Sequence, residues 1–500
     1  MFQPKTVSET YRPEGLTNFF SIITMYKDSR GDSWFGTYNG GLYRMKAGTG
    51  EFIVYDIRDG LAKNWISFIT EDSKGKVWVG TWGGGITVFD GDRMKTYDNS
   101  NGLETMFIQC LLEDREGNMI IASQYDGMLI FKGDYFVNYI SDRLFVDKNI
   151  MAVEEDKFGR LWFGTNEGIT LYDPESQFSW FFNQENKNIG NKIRFIKHDT
   201  TGNVWIGTEG TGVYRYDYST SSFVSEEELN DKLYNDLIVT AMVVDSRNNL
   251  WIGTNDGVGF WNIAKGEGTR FTQIDGLSGL GITALFVSGD GKVWIGTERD
   301  QGLTCFDPAT LQFSIIDLGT DLSPTSISES HDGMIWIGTT YGILGIKNDS
   351  VVIHLTQKDG LLSNNVNLIQ PDNNGYIYIG TNLGLNRYNL ESGKINTYTR
   401  KNGFIGIETK RNSSVLDHQG QLWFGTRYGV SRLNPSLIPP PDLNPLTHIK
   451  AIFINLEPRQ MEAGMKLSYK EKSIVFDYYS VLSHQPRGCS LQGNARRGRA

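Results

Sequence analysis

The chain has 500 residues, including 57 Gly but only 13 Pro, and 12% of its residues are aromatic. The chain has 48 Lys and Arg and 58 Asp and Glu, which gives a net charge of -10. Because this charge provides no basic surface for a phosphate backbone, we do not expect nucleic acid as a partner. No stretch reaches the roughly 18 apolar residues that span a bilayer, so we expect no membrane contact by this segment itself.

A four-residue motif, W-[IVF]-G-T, recurs along almost the whole chain. It begins at Trp34, Trp78, Trp162, Trp205, Trp251, Trp294, Trp336 and Trp423, and Ile120 and Tyr378 replace Trp in the two remaining copies. Successive copies lie 42 to 46 residues apart, and eight of the 12 tryptophans occupy this one position. A period of about 40 to 50 residues is typical of β-propeller blades.

Each copy of the repeat predicts four short antiparallel strands. A D-x-x-G turn, such as residues 72–75, separates the first strand from the W-I-G-T strand. One copy has Asn248 in place of the turn Gly, and Asn is the commonest other residue in a left-handed conformation. Trp and the apolar residue after it point to opposite faces, so the sheet should be buried on both sides, as in stacked blades. We therefore predict an all-β protein with ten four-stranded propeller blades.

The pattern D-x-x-G-x-x-W-I-G-T-x-x-G-[LIV], over residues 1–436, closely resembles the two-component regulator propeller repeat. Residues 467–483 resemble the opening strands of the Ig-like domain that follows such propellers. The resemblance implies the periplasmic sensor region of a hybrid histidine kinase of the type common in Bacteroidetes, for which oligosaccharides are typical signals. It also implies a homodimer, through the receptor context.

The family usually has fourteen repeats in two seven-bladed propellers, whereas this chain shows ten. We therefore predict a partial N-terminal propeller of about three blades at residues 1–144 and a seven-bladed propeller at 145–436. The start of an incomplete Ig-like β-sandwich is predicted at 437–486, followed by an unstructured, aberrant tail at 487–500. Residues 6–16 match a fourth strand, either a closing strand or the mark of a truncation that removed about four repeats and a signal peptide; the family count favours truncation.

The loops that follow the W-I-G-T strand differ in every copy, whereas the D-x-x-G turns hardly vary. In antiparallel blades these two kinds of loop lie on opposite faces, and variable loops mark the working face. Aromatic rings beside Arg, Glu and Asn suit a sugar, whose C–H face stacks on a ring while its hydroxyls form hydrogen bonds. Within the seven-bladed propeller the predicted ligand-binding residues are Glu209, Asp256, Arg299, Tyr341, Arg427 and Tyr428.

The predicted function is periplasmic sensing, without catalysis, of an oligosaccharide or other small ligand. The six histidines lack metal-binding spacing and no Gly-rich nucleotide motif is present, so we predict no metal, no other cofactor and no kinase core in this chain. His484 has Pro486 and Gly488 close behind it, which argues against the long helix of a phosphoacceptor histidine. Two alternatives stay open: a propeller-type carbohydrate-active hydrolase or lyase, and a scaffold for protein–protein interaction.

Overall fold

The structure of the protein is a computed structural model. It describes residues 446–455, 457–459, 474–481 and 21–438, the last range with gaps at 100–102, 104, 115–116, 132–134, 141–143, 184, 186–188, 191, 234–237, 299–301 and 320–321. The predicted tail at 487–500 and the N-terminal segment 6–16 lie outside these residues. Among the described helices, none combines the length and apolar character needed to cross a membrane.

Ten antiparallel sheets follow one another along the chain, and each is one blade of a β-propeller. Blade 1 contains β1 (Ile22–Lys27), β2 (Ser33–Thr37), β3 (Leu42–Met45) and β4 (Phe52–Tyr55). Blade 2 contains β5 (Ile66–Glu71), β6 (Val77–Thr81), β7 (Ile86–Asp90) and β8 (Arg93–Tyr97). Blade 3 contains β9 (Ile108–Glu113), β10 (Met119–Ser123) and β11 (Met128–Phe131), and the next strand is β12 (Phe136–Tyr139).

The following three blades have four consecutive strands each. Blade 4 contains β13 (Ala152–Glu155), β14 (Leu161–Gly164), β15 (Ile169–Asp173) and β16 (Phe178–Phe182). Blade 5 contains β17 (Ile193–His198), β18 (Val204–Thr208), β19 (Val213–Asp217) and β20 (Ser222–Ser225), and α1 (Glu227–Leu233) follows it. Blade 6 contains β21 (Ala241–Val244), β22 (Asn249–Thr254), β23 (Gly257–Asn262) and β24 (Glu267–Phe271).

The last four blades continue the same order. Blade 7 contains β25 (Ile282–Val287), β26 (Val293–Thr297), β27 (Leu303–Asp307) and β28 (Gln312–Ile316). Blade 8 contains β29 (Ser326–Glu329), β30 (Ile335–Thr339), β31 (Gly342–Lys347) and β32 (Ser350–Leu355). Blade 9 contains β33 (Val366–Pro371), β34 (Tyr376–Thr381), β35 (Gly384–Asn389) and β36 (Ile395–Tyr398). Blade 10 contains β37 (Thr409–Leu416), β38 (Leu422–Thr426) and β39 (Gly429–Leu433).

Short helices and a small C-terminal sheet complete the described structure. Single 3-10 turns lie at Gln273–Asp275, Gln357–Asp359, Arg400–Asn402 and Pro435–Leu437. The C-terminal strands β40 (Leu446–Ile454), β41 (Glu457–Arg459) and β42 (Ile474–Val481) form one antiparallel sheet in the order β41-β40-β42. The all-β propeller fold predicted from the repeats is thus confirmed, and the Ig-like character of the C-terminal sheet stays a prediction.

Blades 4 to 10 close into a ring. The first strand of each blade contacts the first strand of the next, from β13 to β37, and β37 in turn contacts β13. Blade 10 is completed by β12, which pairs antiparallel with β39 from Phe136 opposite Leu433 to Tyr139 opposite Val430. The strand β12 precedes blade 4 in the chain. It therefore covers the edge that β39, near the end of the repeats, would otherwise expose.

This closure alters the expected assignment of strands to blades. The repeat pattern places β12 as the fourth strand of blade 3, inside the range 1–144. In the structure β12 belongs to blade 10, and blade 3 has three strands among the described residues, in the order β11-β10-β9. Ten four-stranded repeats in sequence thus become nine four-stranded sheets and one three-stranded sheet in the described blades, because β12 pairs with β39 of blade 10.

The tryptophan of the motif holds the blade to its own D-x-x-G turn. Trp162 is fully buried, and its indole Nε1 donates a hydrogen bond to Asp156 Oδ2 over 3.0 Å. The same bond joins Trp to the turn Asp in blades 1, 2, 5, 6 and 10, and a Ser hydroxyl accepts it in blades 7 and 8. Asn248, in the turn of blade 6, has a φ of 63°, as the pattern predicts. The turns therefore have a structural role.

The glycine of the motif lies where consecutive blades approach most closely. A Cβ atom added to Gly253 would lie 2.6 Å from Cγ2 of Ile282 in the next blade. At the ring closure, a Cβ atom on Gly425 of blade 10 would lie 2.6 Å from Cγ2 of Ile150, just before blade 4. Such distances are well inside van der Waals contact, so this position requires glycine for the blades to stack.

Candidate functional site

Two segments of each blade meet on one side of the propeller, which we call the loop face. These are the loop after the W-I-G-T strand and the residue just before the first strand. The backbone N–H of Glu209 donates to the carbonyl of Lys192 over 3.1 Å, and that of Trp82 donates to the carbonyl of Trp65 over 2.9 Å. Side chains from both segments therefore share this face.

The threonine of the motif fixes the backbone of each post-G-T loop. Thr339 Oγ1 donates to the carbonyl of Gly342 over 2.9 Å and accepts the N–H of Tyr341 over 3.0 Å. In blade 10 the hydroxyl of Thr426 likewise accepts the N–H of Tyr428 over 3.2 Å. Because the hydroxyl satisfies the loop backbone, the loop side chains are free to vary from blade to blade.

The opposite side, the turn face, is used for contacts between blades. Glu71, at the end of the first strand of blade 2, accepts hydrogen bonds from the N–H and hydroxyl of Ser29 in the turn of blade 1, at 2.8 and 2.6 Å. Glu155 of blade 4 accepts the N–H and Nδ1 of His418 from the turn of blade 10, at 2.9 and 2.5 Å. The bond to Glu155 raises the pKa of His418. These contacts give the turn face a structural role at the ring closure.

Glu209 belongs to a network that links blades 4 and 5 at the ring opening. Its carboxylate accepts Nε of Arg194 over 2.7 Å and Nζ of Lys192 over 3.2 Å. Arg194 Nη1 also donates to Asn166 Oδ1, over 3.0 Å, in the loop of blade 4. The hydrogen bond from Arg194 holds the pKa of Glu209 below its ordinary value. The charge of Glu209 is thus already compensated by the protein.

Of the other predicted residues, those in blades 6, 8 and 10 lie on the same face. Tyr341 and Tyr428 are 55% and 46% exposed, and Arg427 is exposed beside Tyr428. The guanidinium carbon of Arg400 lies 5.9 Å from the centre of the Tyr428 ring. Asp256 is half-buried, and its N–H donates to Thr254 Oγ1 over 3.0 Å. Arg299 lies outside the described residues.

A row of five aromatic rings crosses the loop face of blades 1 to 3. Consecutive ring centroids are 4.4, 5.4, 5.6 and 5.2 Å apart. The row consists of Tyr38, Trp65, Trp82, Phe107 and Tyr125, in that order. The two tyrosines at its ends are 45% and 70% exposed, and the three inner rings are half-buried. We call this set the aromatic row.

The sequence reveals only part of the aromatic row. Tyr38, Trp82 and Tyr125 lie in post-G-T loops and were visible as variable residues. Trp65 and Phe107 lie instead just before the first strands of blades 2 and 3, and local pattern does not indicate that they complete the row. The repeat does contain a pattern that could have identified them: Trp65 and Phe107 each immediately precede the isoleucine that begins the first strand of their blade.

Polar side chains flank the aromatic row. Asn39 is exposed next to Tyr38, and Gln124 and Asp126 are exposed on either side of Tyr125. Asp126 also accepts a hydrogen bond from the hydroxyl of Ser123 over 3.1 Å.

A metal site was also considered. Across the described ranges, no three His, Cys, Asp or Glu side chains are grouped closely enough to hold an ion.

Comparison with known proteins identifies a known repeat family and similar folds. The two-component regulator propeller family model matches residues 60–83, 144–167, 234–256 and 360–383. Histidine kinase P4 of Formosa agariphila is 27% identical over 351 residues, which make up 65% of this chain and 25% of that protein. The chain therefore spans about a quarter of that relative.

Two solved structures share the fold. The extracellular domain of a putative hybrid two-component system from B. thetaiotaomicron has a TM-score of 0.64 and 21% identity, covering 91% of this chain and 61% of that domain. The extracellular domain of a putative one-component system from the same organism has a TM-score of 0.52 and 20% identity, covering 90% and 63%. The resemblance seen in the sequence is confirmed: four segments of the chain match the two-component regulator propeller repeat.

Proposed function

We propose that this chain is the periplasmic ligand-sensing region of a two-component receptor, and that it binds a carbohydrate-type ligand without transforming it. The propeller repeats and the histidine kinase relative support a signalling role. The similar folds are those of extracellular domains, which supports a location outside the cytoplasm. In the receptor, we expect the chain to act as part of a homodimer.

The aromatic row is the observation that carries the carbohydrate part of this proposal. Pyranose rings present C–H groups on their faces, and these stack favourably on the electron-rich faces of Trp and Tyr. Exposed amide and carboxylate groups beside the row, at Asn39, Gln124 and Asp126, supply hydrogen-bond partners for hydroxyls. A row of adjacent rings with polar edges suits several linked sugars better than a single small apolar ligand.

The loop face of the ring contributes the second part of the proposed recognition surface. Tyr341, Arg427 and Tyr428 combine planar groups with hydrogen-bond donors, a combination that often dominates binding energy. Glu209 and Asp256, together with Arg299, complete the proposed set. The hydroxyls of the motif threonines form hydrogen bonds with the backbones of these loops and so help to fix their conformation, as a recognition surface requires.

Calorimetry with a panel of oligosaccharides, combined with product analysis of the same samples, tests the function. We expect saturable binding of at least one oligosaccharide with no change in its length or linkage. Turnover of any member would favour a carbohydrate-active hydrolase or lyase instead. Absence of both binding and turnover across the panel would favour a protein–protein scaffold and contradict the proposal.

Substitutions on the two faces locate the site. Arg427→Ala or Tyr428→Ala should weaken binding by about 1 to 3 kcal/mol, since a hydrogen-bonding partner on the ligand is left unpaired. Trp82→Ala, in the aromatic row, should weaken it by about 1 kcal/mol through lost stacking. His331→Ala, in a turn on the opposite face, is the control and should leave affinity unchanged. Loss of binding in the control alone would place the site on the turn face.

A further inference from the structure

Blade 9 is the one blade of the ring whose motif begins with tyrosine instead of tryptophan. In blade 4, Oδ2 of the turn aspartate Asp156 accepts Nε1 of Trp162 over 3.0 Å and Nη2 of Arg160 over 2.7 Å. In blade 5, a tryptophan and an asparagine donate the same two bonds to Oδ2 of Asp199. In these blades one carboxylate oxygen therefore receives two kinds of hydrogen bond from neighbouring side chains.

The turn aspartate of blade 9, Asp372, has neither of these donors. Its Oδ1 accepts the backbone N–H groups of Asn374 and Tyr376, over 2.8 and 3.0 Å, as the turn of blade 4 also does. Tyr376 stands in place of the arginine or asparagine, and Tyr378 stands in place of the tryptophan. Asp372 is 5% exposed, and its Oδ2 has no hydrogen-bond partner among the described residues.

Two further polar groups of blade 9 are buried without a protein partner. The hydroxyl of Tyr378, a residue with no exposed surface, forms no hydrogen bond to the described residues, and neither does Nε of Arg387, which is 6% exposed. Arg387 lies opposite Tyr378 in the pairing of β35 with β34. In blade 1, Arg44 has the matching place opposite Trp34, and its Nε donates to Asp32 over 2.8 Å. Blade 9 has kept the arginine without this acceptor.

These groups lie in one cluster around the rings of Tyr376 and Tyr378. The guanidinium carbon of Arg387 lies 3.5 Å from the centre of the Tyr376 ring and 5.9 Å from the centre of the Tyr378 ring. The backbone N–H of Tyr376 is bonded in turn to Asp372. Burial raises the pKa of Tyr378, while Arg387 lowers that pKa and Asp372 raises it. A buried cation and a buried anion thus flank the same two rings, and each keeps an unused hydrogen-bonding atom.

We propose that blade 9 holds one internal water molecule, which bridges Oδ2 of Asp372 and Nε of Arg387. Buried polar atoms without partners are costly, and internal waters commonly relieve this cost by bonding several of them at once. A phenol ring is smaller than an indole, so Tyr378 leaves room that a motif tryptophan would fill. The hydroxyl of Tyr378 is available to the same water as a third partner.

The charges of the cluster select water over an ion. Asp372 would repel an anion, and Arg387 would repel a cation. A water molecule donates to the carboxylate and accepts from the guanidinium, so it satisfies both groups without adding charge. Oδ2 then receives one of the two bonds that the same atom receives in blades 4 and 5. This inference concerns the scaffold and does not depend on the proposed sensing function.

A high-resolution crystal structure of the unmodified chain tests the proposal directly. We expect a single solvent peak within about 2.7 to 3.2 Å of both Asp372 Oδ2 and Arg387 Nε. In Tyr378→Trp the indole should bond Asp372 and displace the water, so the peak should be absent. Tyr376→Phe, which keeps the ring against Arg387, is the matched control and should retain the peak. In solution, magnetic relaxation dispersion of water oxygen-17 should detect one fewer long-lived water in Tyr378→Trp than in the unmodified chain or the control.

Several outcomes would overturn the proposal. A direct hydrogen bond between Asp372 and Arg387, or a cluster without a solvent peak, would show that the protein needs no bridge there. A peak with the anomalous scattering of chloride, or with the short ligand distances of a metal ion, would identify an ion instead. An unchanged number of long-lived waters in Tyr378→Trp would also contradict it. The unmodified chain decides between the first two alternatives and the water even if the tryptophan variant does not fold.

Discussion

Blades 1 to 3 and the seven-bladed ring share one framework but carry different chemistry on the loop face. The residue just before the first strand is aromatic in blades 2 and 3, Trp65 and Phe107, whereas blades 5 and 9 have Lys192 and Asn365 there. The strands that follow have the same register and the same buried motif. The comparison teaches that the blades differ at a few loop positions, where we propose that recognition occurs, while the W-I-G-T motif and its turn build the scaffold.

The two regions also differ in the residue at the glycine position of the motif in their last blades. In the ring, every motif glycine faces a side chain from the neighbouring blade, including the pair across the closure. In blade 3 the corresponding residue is Ala122, and the strand that follows blade 3 joins blade 10. A Cβ is tolerated at this position in the blade from which the chain crosses into the ring.

The largest expected effect separates scaffold from recognition surface. Trp294 is 5% exposed, and Trp294→Ala should lower the free energy of unfolding by about 3 to 5 kcal/mol, because it removes a buried ring and leaves a cavity. Trp82→Ala, in the half-buried aromatic row, should cost much less stability. Chemical denaturation of both variants measures the difference. Equal losses would mean that the row is as much a part of the core as the motif.

The second prediction tests the blade-to-blade contact. Gly253→Ala places a Cβ atom 2.6 Å from Ile282, and the resulting overpacking should cost about 1 to 3 kcal/mol of unfolding free energy. Ala122→Gly, at the matching position of blade 3, is the control, and it should cost at most about 1 kcal/mol through backbone entropy. If Gly253→Ala melts at the same temperature as the unmodified chain, the close approach is not required for stacking.

The third prediction concerns the one ring blade that lacks the motif tryptophan. In blade 9 the hydroxyl of Tyr378 and Oδ2 of Asp372 are buried without hydrogen-bond partners, whereas in blade 3 Asn118 donates to Oδ2 of Asp114 over 2.9 Å. Tyr378→Trp would supply the indole donor found in other blades. It should raise the free energy of unfolding by about 1 kcal/mol.

The control for that substitution is Tyr378→Phe, which removes the unpaired hydroxyl but leaves Asp372 unsatisfied. Thermal unfolding should rank the Trp variant above the Phe variant. The reverse order would show that the cavity of blade 9 is shaped for the smaller ring and that the lone carboxylate oxygen costs little.

The smallest expected effect is the pH dependence of the ring closure. Hydrogen bonding to Glu155 raises the pKa of His418 above its ordinary value of 6.5. The protonated form therefore stabilises the fold fully below pH 6.5, and this contribution is lost as the pH rises through the raised pKa. The melting temperature should fall slightly over that window, and less so in His418→Gln. His198, bonded to Glu154 between blades 4 and 5, shifts in the same direction, so the dependence should not vanish. An identical pH profile in the variant would contradict a role for His418.

Much of the scaffold could be predicted because its determinants are local. The motif period, the D-x-x-G turns and the left-handed conformation of Asn248 each depend on residues within one hairpin, where register follows from turn type and side-chain alternation. The direction of the post-G-T loops follows from the same antiparallel pairing. The sequence alone therefore determined the fold class and the two faces of each blade.

The tertiary structure decided which distant residues meet. Ser431 and Asn138 share a hydrogen bond although 293 positions separate them, because only the curvature of seven stacked blades brings β12 beside β39. The stacking of blade 2 on blade 1 likewise aligns Trp65 and Trp82 with Tyr38. Repeat pattern describes one blade at a time, whereas such contacts depend on how the blades are arranged around a common axis.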